Sequence, residues 1–167
     1  MNDERGGGKT WVLAGLLARV LVGGVLIAAG ASKRAKPPEE FAVVIEAYDI
    51  APQDSVQSLS VLLPWAELLV GFSLLFGFLT PAASAAAAAM FSGFLLALLS
   101  TKFRHIPLPD CGCFGQGLHL PTTVTIALDA LLLLPCSLLS LRQGARFLSL
   151  DAWVGRKAPR ALGPKTL

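Results

Sequence analysis

The chain has 167 residues, of which 54% are hydrophobic and 15% charged, and its mean hydropathy is +0.64. Soluble domains carry about 25% charged residues, so this composition excludes an ordinary soluble domain and favours a single membrane-embedded one. The formal net charge of +3 comes with a basic C-terminal tail, and no basic patch on a folded soluble surface is evident. The excess therefore indicates membrane topology and contact with an anionic lipid bilayer, and it argues against nucleic-acid binding.

Four apolar segments follow one another along the chain, and each has close to the ~20 residues with which a helix crosses a bilayer. They cover residues 10–31, 60–80, 82–100 and 121–141, after a flexible tail at residues 1–9 and before a basic tail at residues 142–167. Backbone polar groups must be paired internally in hydrocarbon, so the spans are predicted to be helices. Their short connections, among them a turn at Thr80-Pro81, predict an all-α integral membrane four-helix bundle.

The first span has a rival interpretation as a signal peptide. Arg5 and Lys9 precede the apolar run, and Ala29-Gly30-Ala31 resembles a cleavage site. The apolar region of a signal peptide is usually ~7–15 residues long, whereas this run is longer and contains Arg19. A retained first helix is therefore the favoured prediction.

The connection between the first two spans predicts a short interfacial amphipathic helix. Pro37-Pro38-Glu39-Glu40 is typical of a helix start, because proline fits the first turn and acids favour its positive end. Phe41, Val44, Ile45 and Tyr48 then form one apolar stripe. Such a helix either only covers the ends of the bundle or acts as a lid near the cysteine-containing loop.

Two cysteines lie one residue apart in the connection between the third and fourth spans, within Cys111-Gly112-Cys113-Phe114-Gly115. Their α-carbons can be at most about 7 Å apart, and a disulfide needs roughly 4.4–6.8 Å. A ring can therefore close at Gly112 but should be strained, and strained disulfides exchange readily. The alternatives are a loop-stabilising disulfide or two free thiols, although so small a loop gains little entropy from closure.

Basic side chains precede this pair. Lys102, Arg104 and His105 could favour the thiolate form of Cys111 or Cys113, which is the attacking species in disulfide exchange. We therefore interpret the two cysteines as candidate catalytic residues. Gly112, Phe114, Gly115 and the three basic residues support them.

A metal site is the alternative for the same loop. His105 and His119 flank Cys111 and Cys113 symmetrically, and this donor set would suit zinc or cuprous copper. Structural zinc sites usually space their cysteines by two to four residues, so the C-x-C spacing is unfavourable and no metal is predicted. Cys136, far along the fourth span, is expected to be an apolar core residue.

Three ionisable residues fall inside the predicted spans: Arg19, Glu67 and Asp129. Charges at such depth usually pair with one another or face a polar cavity. Counting 1.5 Å per residue makes an Arg19–Glu67 pair with Asp129 nearby geometrically feasible. Either this cluster is a structural ion pair that fixes helix register, or it is a proton or quinone site beneath the redox loop.

The basic residues also predict the orientation in the membrane. Eight lie on the side of the two tails and five on the other side, which favours cytoplasmic N- and C-termini. The cysteine loop would then be extracytoplasmic, in a compartment that permits disulfides. The two sets are Arg5, Lys9, Arg142, Arg146, Arg156, Lys157, Arg160 and Lys165 against Lys33, Arg34, Lys36, Lys102 and Arg104.

These features together resemble one family, the MauE/DoxX-like redox-associated membrane proteins. The resemblance covers roughly residues 11–141, and its most specific part is the Cys111–Gly115 stretch. The other matching residues are Arg19, Gly30-Ala31-Ser32-Lys33, Phe41, Tyr48, Pro64, Glu67, Gly71 and Gly77.

The resemblance implies a multi-pass bacterial inner-membrane protein that supports maturation of an exported redox protein, such as the methylamine dehydrogenase small subunit. On this basis we expect a thiol–disulfide factor whose Cys111–Cys113 pair exchanges with a periplasmic thiol protein or client. The sequence determines no cofactor, and quinone is the candidate that would accept or supply the electrons. The alternatives are a non-enzymatic assembly subunit of a redox complex and copper or zinc handling at the same loop.

Overall fold

A computed structural model describes residues 4–106 and 121–141, with side chains in residues 13–106 and 121–140. The described chain is all-α, as predicted. Four of its helices are long and apolar enough to cross a membrane, and a short helix separates the first two of these. The helices are α1 (Glu4–Arg34), α2 (Pro38–Ala47), α3 (Gln53–Phe76), α4 (Thr80–Phe103) and α5 (Thr122–Leu141).

Each long helix buries one stripe of its surface. On α1, Arg19, Val22, Leu26, Ala29 and Lys33 are all buried, and their spacing of three or four residues places them on one face. Large apolar side chains on the opposite faces are exposed, as expected where lipid surrounds a bundle. The apolar core lies between α1, α3, α4 and α5, and its buried members are Val22, Leu26, Leu74, Ala83, Ala87, Phe91, Leu132 and Cys136. Cys136 is thus the apolar core residue that the sequence predicts.

Helices α1 and α3 approach each other backbone to backbone. A Cβ atom on Gly23 would lie 2.8 Å from the carbonyl oxygen of Gly71, and one on Gly71 would lie 2.8 Å from Cγ1 of Ile27. Neither glycine could therefore carry a side chain without moving the helices apart. Small residues permit this kind of contact between membrane helices, where packing replaces the hydrophobic effect as the driving force.

The turn between α3 and α4 lies at residues 77–79, just before the predicted Thr80-Pro81. Gly77 adopts a left-handed conformation (φ 68°), and the N–H group of Phe78 donates to the carbonyl of Ser73 at 2.8 Å. This pattern ends a helix by satisfying its last carbonyl groups. Pro81 lies within the first turn of α4, where proline is tolerated because the first N–H groups of a helix have no intrahelical partner.

Three spans extend beyond the predicted apolar segments. Helix α1 runs from Glu4 to Arg34 instead of over residues 10–31, so the predicted flexible tail at residues 1–9 is helical from Glu4. Helix α3 begins at Gln53 instead of near residue 60, and α4 covers Thr80–Phe103 instead of residues 82–100. The added residues are mostly polar or charged, so hydropathy alone does not detect them. Helix α2 lies in the connection between α1 and α3, as predicted.

The segment that follows α2 is bound to the end of α4. The guanidinium group of Arg104 donates to the backbone carbonyl of Asp49 at 2.9 Å and also pairs with the Asp49 carboxylate. Thr101 near the end of α4 and Thr122 at the start of α5 line the same pocket, so α5 begins beside the end of α4. The C-terminal ends of α1 and α4 and the N-terminal ends of α3 and α5 therefore share one side with α2. We call this side the α2 end of the bundle.

The glycine contact between α1 and α3 predicts a position-specific loss of stability. Gly23→Ala should lower the free energy of unfolding by about 1–3 kcal/mol, because the new methyl group meets the backbone of Gly71. Thermal unfolding of the detergent-solubilised protein measures the change.

Gly24→Ala is the matched control on the adjacent residue. A Cβ there has no atom within 4 Å, so the variant should be neutral or gain up to about 1 kcal/mol from helix propensity. Equal destabilisation by the two variants would contradict the proposed close contact.

Candidate functional site

A buried ion pair joins α1 to α3 at the α2 end. Lys33 Nζ lies 2.5 Å from Glu67 Oε1, and the two side chains are only 1% and 0% exposed. Charges so far from water are stable only when they are paired. The two opposite charges cancel, so the pair adds almost no net charge to the interior of the bundle.

Two aromatic rings enclose the ammonium group. The centroids of the Phe41 and Phe94 rings lie 5.3 Å and 5.2 Å from Lys33 Nζ. At this distance the negative face of an aromatic ring attracts a cation. Because Phe41 is on α2 and Phe94 is on α4, the site draws one side chain from each of four helices.

A glycine on α1 makes room for this arrangement. A Cβ on Gly30 would lie 2.8 Å from the carbonyl oxygen of Pro64 and 3.1 Å from Cβ of Glu67. The backbone of α1 therefore passes directly over the turn of α3 that bears Glu67. Lys33 follows Gly30 by three residues, so its side chain is on the same side of α1.

Lys33, and not Arg19, is the cation bound to Glu67. Arg19 lies 14 residues earlier on α1, about 21 Å along the helix axis, and its Nε group donates to the carbonyl of Leu74 at 3.1 Å. Because the apolar run ends near residue 31, hydropathy predicts Lys33 to be a loop charge. The signal it missed is the spacing of Arg19 and Lys33, which puts both on the buried stripe of α1.

Asp129 of α5 lies near Glu67. Both carboxylate side chains line a small internal cavity of about 10 Å³, together with apolar residues of α1 and α4. Asp129 is 3% exposed, and Glu67 Oε2 has no hydrogen-bond partner within the part of the chain that the structure describes. Such a volume corresponds to about one water molecule. The structure thus brings two of the three predicted intramembrane charges, Glu67 and Asp129, to one cavity.

A larger cavity lies between α2, α3 and α4. Its volume is about 150 Å³, and its lining includes Lys33, Phe41, Tyr48, Phe94 and Ala97. The predicted apolar stripe of α2 supplies part of its wall, and Lys33 is its charged member. We call this space the α2 cavity.

The candidate redox residues are only partly within the described chain. Lys102, Arg104 and His105 are exposed at the end of α4, and Arg104 is engaged by Asp49. Cys111, Gly112, Cys113, Phe114, Gly115 and His119 lie outside the described residues. Among residues 4–106 and 121–141, no group of three His, Cys, Asp or Glu residues could hold a metal ion.

Chain length limits how far the cysteines can be from the α2 end. Cys111 follows Ile106 by five residues, and five extended residues span at most about 18 Å. The connection leaves the C-terminal end of α4 and enters the N-terminal end of α5, both at the α2 end.

Comparison with known proteins gives one family. The family model for methylamine utilisation protein MauE matches residues 10–142, which is most of the chain and includes both cysteines of the loop. The chain is 31% identical over 109 residues to a methylamine utilization protein MauE from Paracoccus denitrificans. That match covers 65% of this chain and 59% of the relative. No solved structure shows significant similarity.

The buried pair predicts that Glu67→Gln destabilises the protein far more than Glu40→Gln, the same change in a surface pair. Glu67→Gln should lower the free energy of unfolding by about 3–5 kcal/mol, because it leaves the Lys33 ammonium buried and unpaired. Lys33→Met combined with Glu67→Gln should recover most of the loss. Thermal or denaturant unfolding of the unmodified protein, the single variant and the double variant measures the loss and its recovery.

Glu40→Gln is the control for this comparison. Glu40 pairs with Lys36 on the surface, where the two side chains are 43% and 40% exposed, so this substitution should cost only about 0–1 kcal/mol. A double variant less stable than Glu67→Gln alone would contradict the unpaired Lys33 ammonium group as the cause of the loss.

Proposed function

The chain belongs to the MauE family, and from this premise we propose that it is a thiol–disulfide redox factor of the bacterial inner membrane. It supports maturation of an exported, disulfide-containing redox protein in methylamine utilisation, with a methylamine dehydrogenase small subunit as the type of client. Its reactive group is the Cys111–Cys113 pair. The four spans hold this pair at the membrane surface.

The observation that carries this proposal is the C-x-C pair inside the family match. Both cysteines fall in the short connection from α4 to α5, within reach of the α2 end. A three-residue ring has little value as a structural staple, because closing so small a loop removes little entropy from the unfolded chain. Its strain instead favours exchange with other thiols.

The reaction is disulfide exchange through a mixed disulfide. A client thiolate attacks one sulfur of the Cys111–Cys113 disulfide and releases the other as a thiolate. The second client thiolate then displaces the bound cysteine, leaving a client disulfide and a reduced Cys111–Cys113 pair. Two electrons pass from client to pair, and the reverse sequence reduces a client.

The proposed orientation puts both termini in the cytoplasm and the α2 end outside it. Four spans put the two termini on one side of the membrane. Lys33 is buried in its ion pair, so it does not act as a loop charge. Eight basic residues on the side of the termini then face four at the α2 end, which favours cytoplasmic termini.

Trapping of a mixed disulfide tests the proposed chemistry. In Cys113→Ala no intramolecular disulfide forms, but the Cys111 thiolate can still attack a client disulfide and release one client thiolate, which begins the reverse sequence. The second thiol that would resolve this mixed disulfide is absent, so a covalent adduct between Cys111 and a periplasmic disulfide-containing protein should accumulate. Non-reducing electrophoresis of acid-quenched cells, followed by mass spectrometry, detects and identifies the adduct.

Two controls make this trapping experiment specific. Cys136→Ser should leave the adduct unchanged, because Cys136 is fully buried in α5, whereas Cys111→Ser combined with Cys113→Ala should remove it. Full client maturation in a strain carrying Cys111→Ser and Cys113→Ser would rule out the redox role and favour a non-enzymatic assembly subunit.

Thiol labelling in intact spheroplasts tests the orientation separately. A membrane-impermeant maleimide should modify Cys111 and Cys113 after mild reduction, because the proposed loop is extracytoplasmic. Cys136 should remain unlabelled until the protein is denatured. Labelling of the pair only after the membrane is permeabilised would place the loop in the cytoplasm.

A further inference from the structure

We propose that the α2 cavity is a binding site for a neutral ring compound that carries a carbonyl group and is dissolved in the bilayer. This is the chemical class of the membrane quinones. Lys33 would donate a hydrogen bond to the carbonyl oxygen, with the aromatic rings of Phe41 and Phe94 against the ligand ring. This site is separate from the cysteine loop and goes beyond the proposed exchange reaction.

The size and lining of the cavity indicate a single ring. Its volume of about 150 Å³ equals that of an engineered apolar protein cavity that binds benzene. Apart from Lys33, its wall is apolar or aromatic, with Phe41, Tyr48 and Phe94 among its members. Ligand sites are usually of this kind, mostly apolar with a few polar groups that fix orientation.

The charge of the site favours a neutral acceptor over an anion. Glu67 already neutralises Lys33, so an anionic ligand would meet no net positive charge. An ammonium group has three N–H donors, and Glu67 Oε1 accepts only one of them. The two rings whose centroids lie within 5.3 Å of the nitrogen also line the α2 cavity. A carbonyl oxygen that reaches the nitrogen from the cavity would accept a charge-assisted hydrogen bond.

The rim of the cavity suits a ligand that arrives from lipid. Ile50 and Leu59, which line the cavity, are 53% and 36% exposed. Apolar rim residues on a membrane bundle let a ring enter while an isoprenoid tail stays in the bilayer. A lipid ester carbonyl offers the same acceptor chemistry but no ring, so the experiment must separate these two sources.

Quinone in this cavity would also complete the electron balance of the proposed function, and this step rests on that function. The Cys111–Cys113 dithiol would lose two electrons and two protons and become a disulfide. The quinone would gain them and become a quinol. Binding itself needs no cysteine, so the two proposals can fail independently.

A cavity-filling substitution tests the binding site. Decylubiquinone is titrated into the full-length protein in phospholipid nanodiscs, and bound quinone is measured after rapid separation from free ligand. Ala97→Phe projects a ring into the α2 cavity and should weaken binding at least about tenfold, which is about 1.4 kcal/mol. Ala89→Phe, on the exposed face of the same helix, should bind like the unmodified protein.

Two further variants separate the contributions to binding. Lys33→Met combined with Glu67→Gln removes the donor without leaving an unpaired charge and should weaken binding about tenfold. Cys111→Ser combined with Cys113→Ser should bind quinone normally, even if client maturation fails. Melting curves of all variants confirm that each protein is folded.

Three outcomes would overturn the proposed site. One is equal quinone binding by the Ala97→Phe and Ala89→Phe proteins. Another is binding that does not depend on Lys33. The third is native mass spectrometry that finds phospholipid retained at this site, displaceable by other phospholipid but not by decylubiquinone.

Discussion

The ion pair between Lys33 and Glu67 constrains the whole arrangement of the bundle. Neither charge is stable alone among helices in hydrocarbon, so each requires the other within hydrogen-bond distance. Apolar contacts between helices are not directional, whereas an ion pair requires two particular residues to meet. The pair therefore fixes the rotation of α1 against α3 together with the close glycine contacts. Gly30 permits it, because the backbone of α1 must lie against the turn of α3 that carries Glu67.

The sequence was sufficient for the architecture because each long helix has a strong local signal. Length and hydropathy locate four spans, and the Pro37-Pro38-Glu39-Glu40 start with its apolar stripe locates α2. The boundaries were less accurate for a physical reason. Helices continue past the apolar run wherever polar residues can be solvated or paired, as at both ends of the α1–α3 connection. Hydropathy does not measure that continuation.

The charged site was predictable only in part. Glu67 and Asp129 stand out because they interrupt apolar segments, and the structure places both at one internal cavity. Lys33 does not interrupt such a segment, so a hydropathy-based limit assigns it to a loop. Its role depends on a tertiary contact, since Gly30, Pro64 and Glu67 must meet before an ammonium group can be buried there. The α2 cavity likewise depends on how three helices pack.

A lysine close to the end of a membrane helix normally extends its side chain toward water. Here the opposite occurs, because Glu67 binds the ammonium group and Phe41 of α2 and Phe94 of α4 face it. Arg104 binds the segment after α2 to the end of α4, which helps to keep α2 and its Phe41 ring over the ammonium group. The result is a hydrogen-bond donor retained beside an apolar cavity. Because the connection that carries the cysteines begins and ends at the α2 end, the proposed thiol chemistry and the proposed carbonyl site share that end of the bundle.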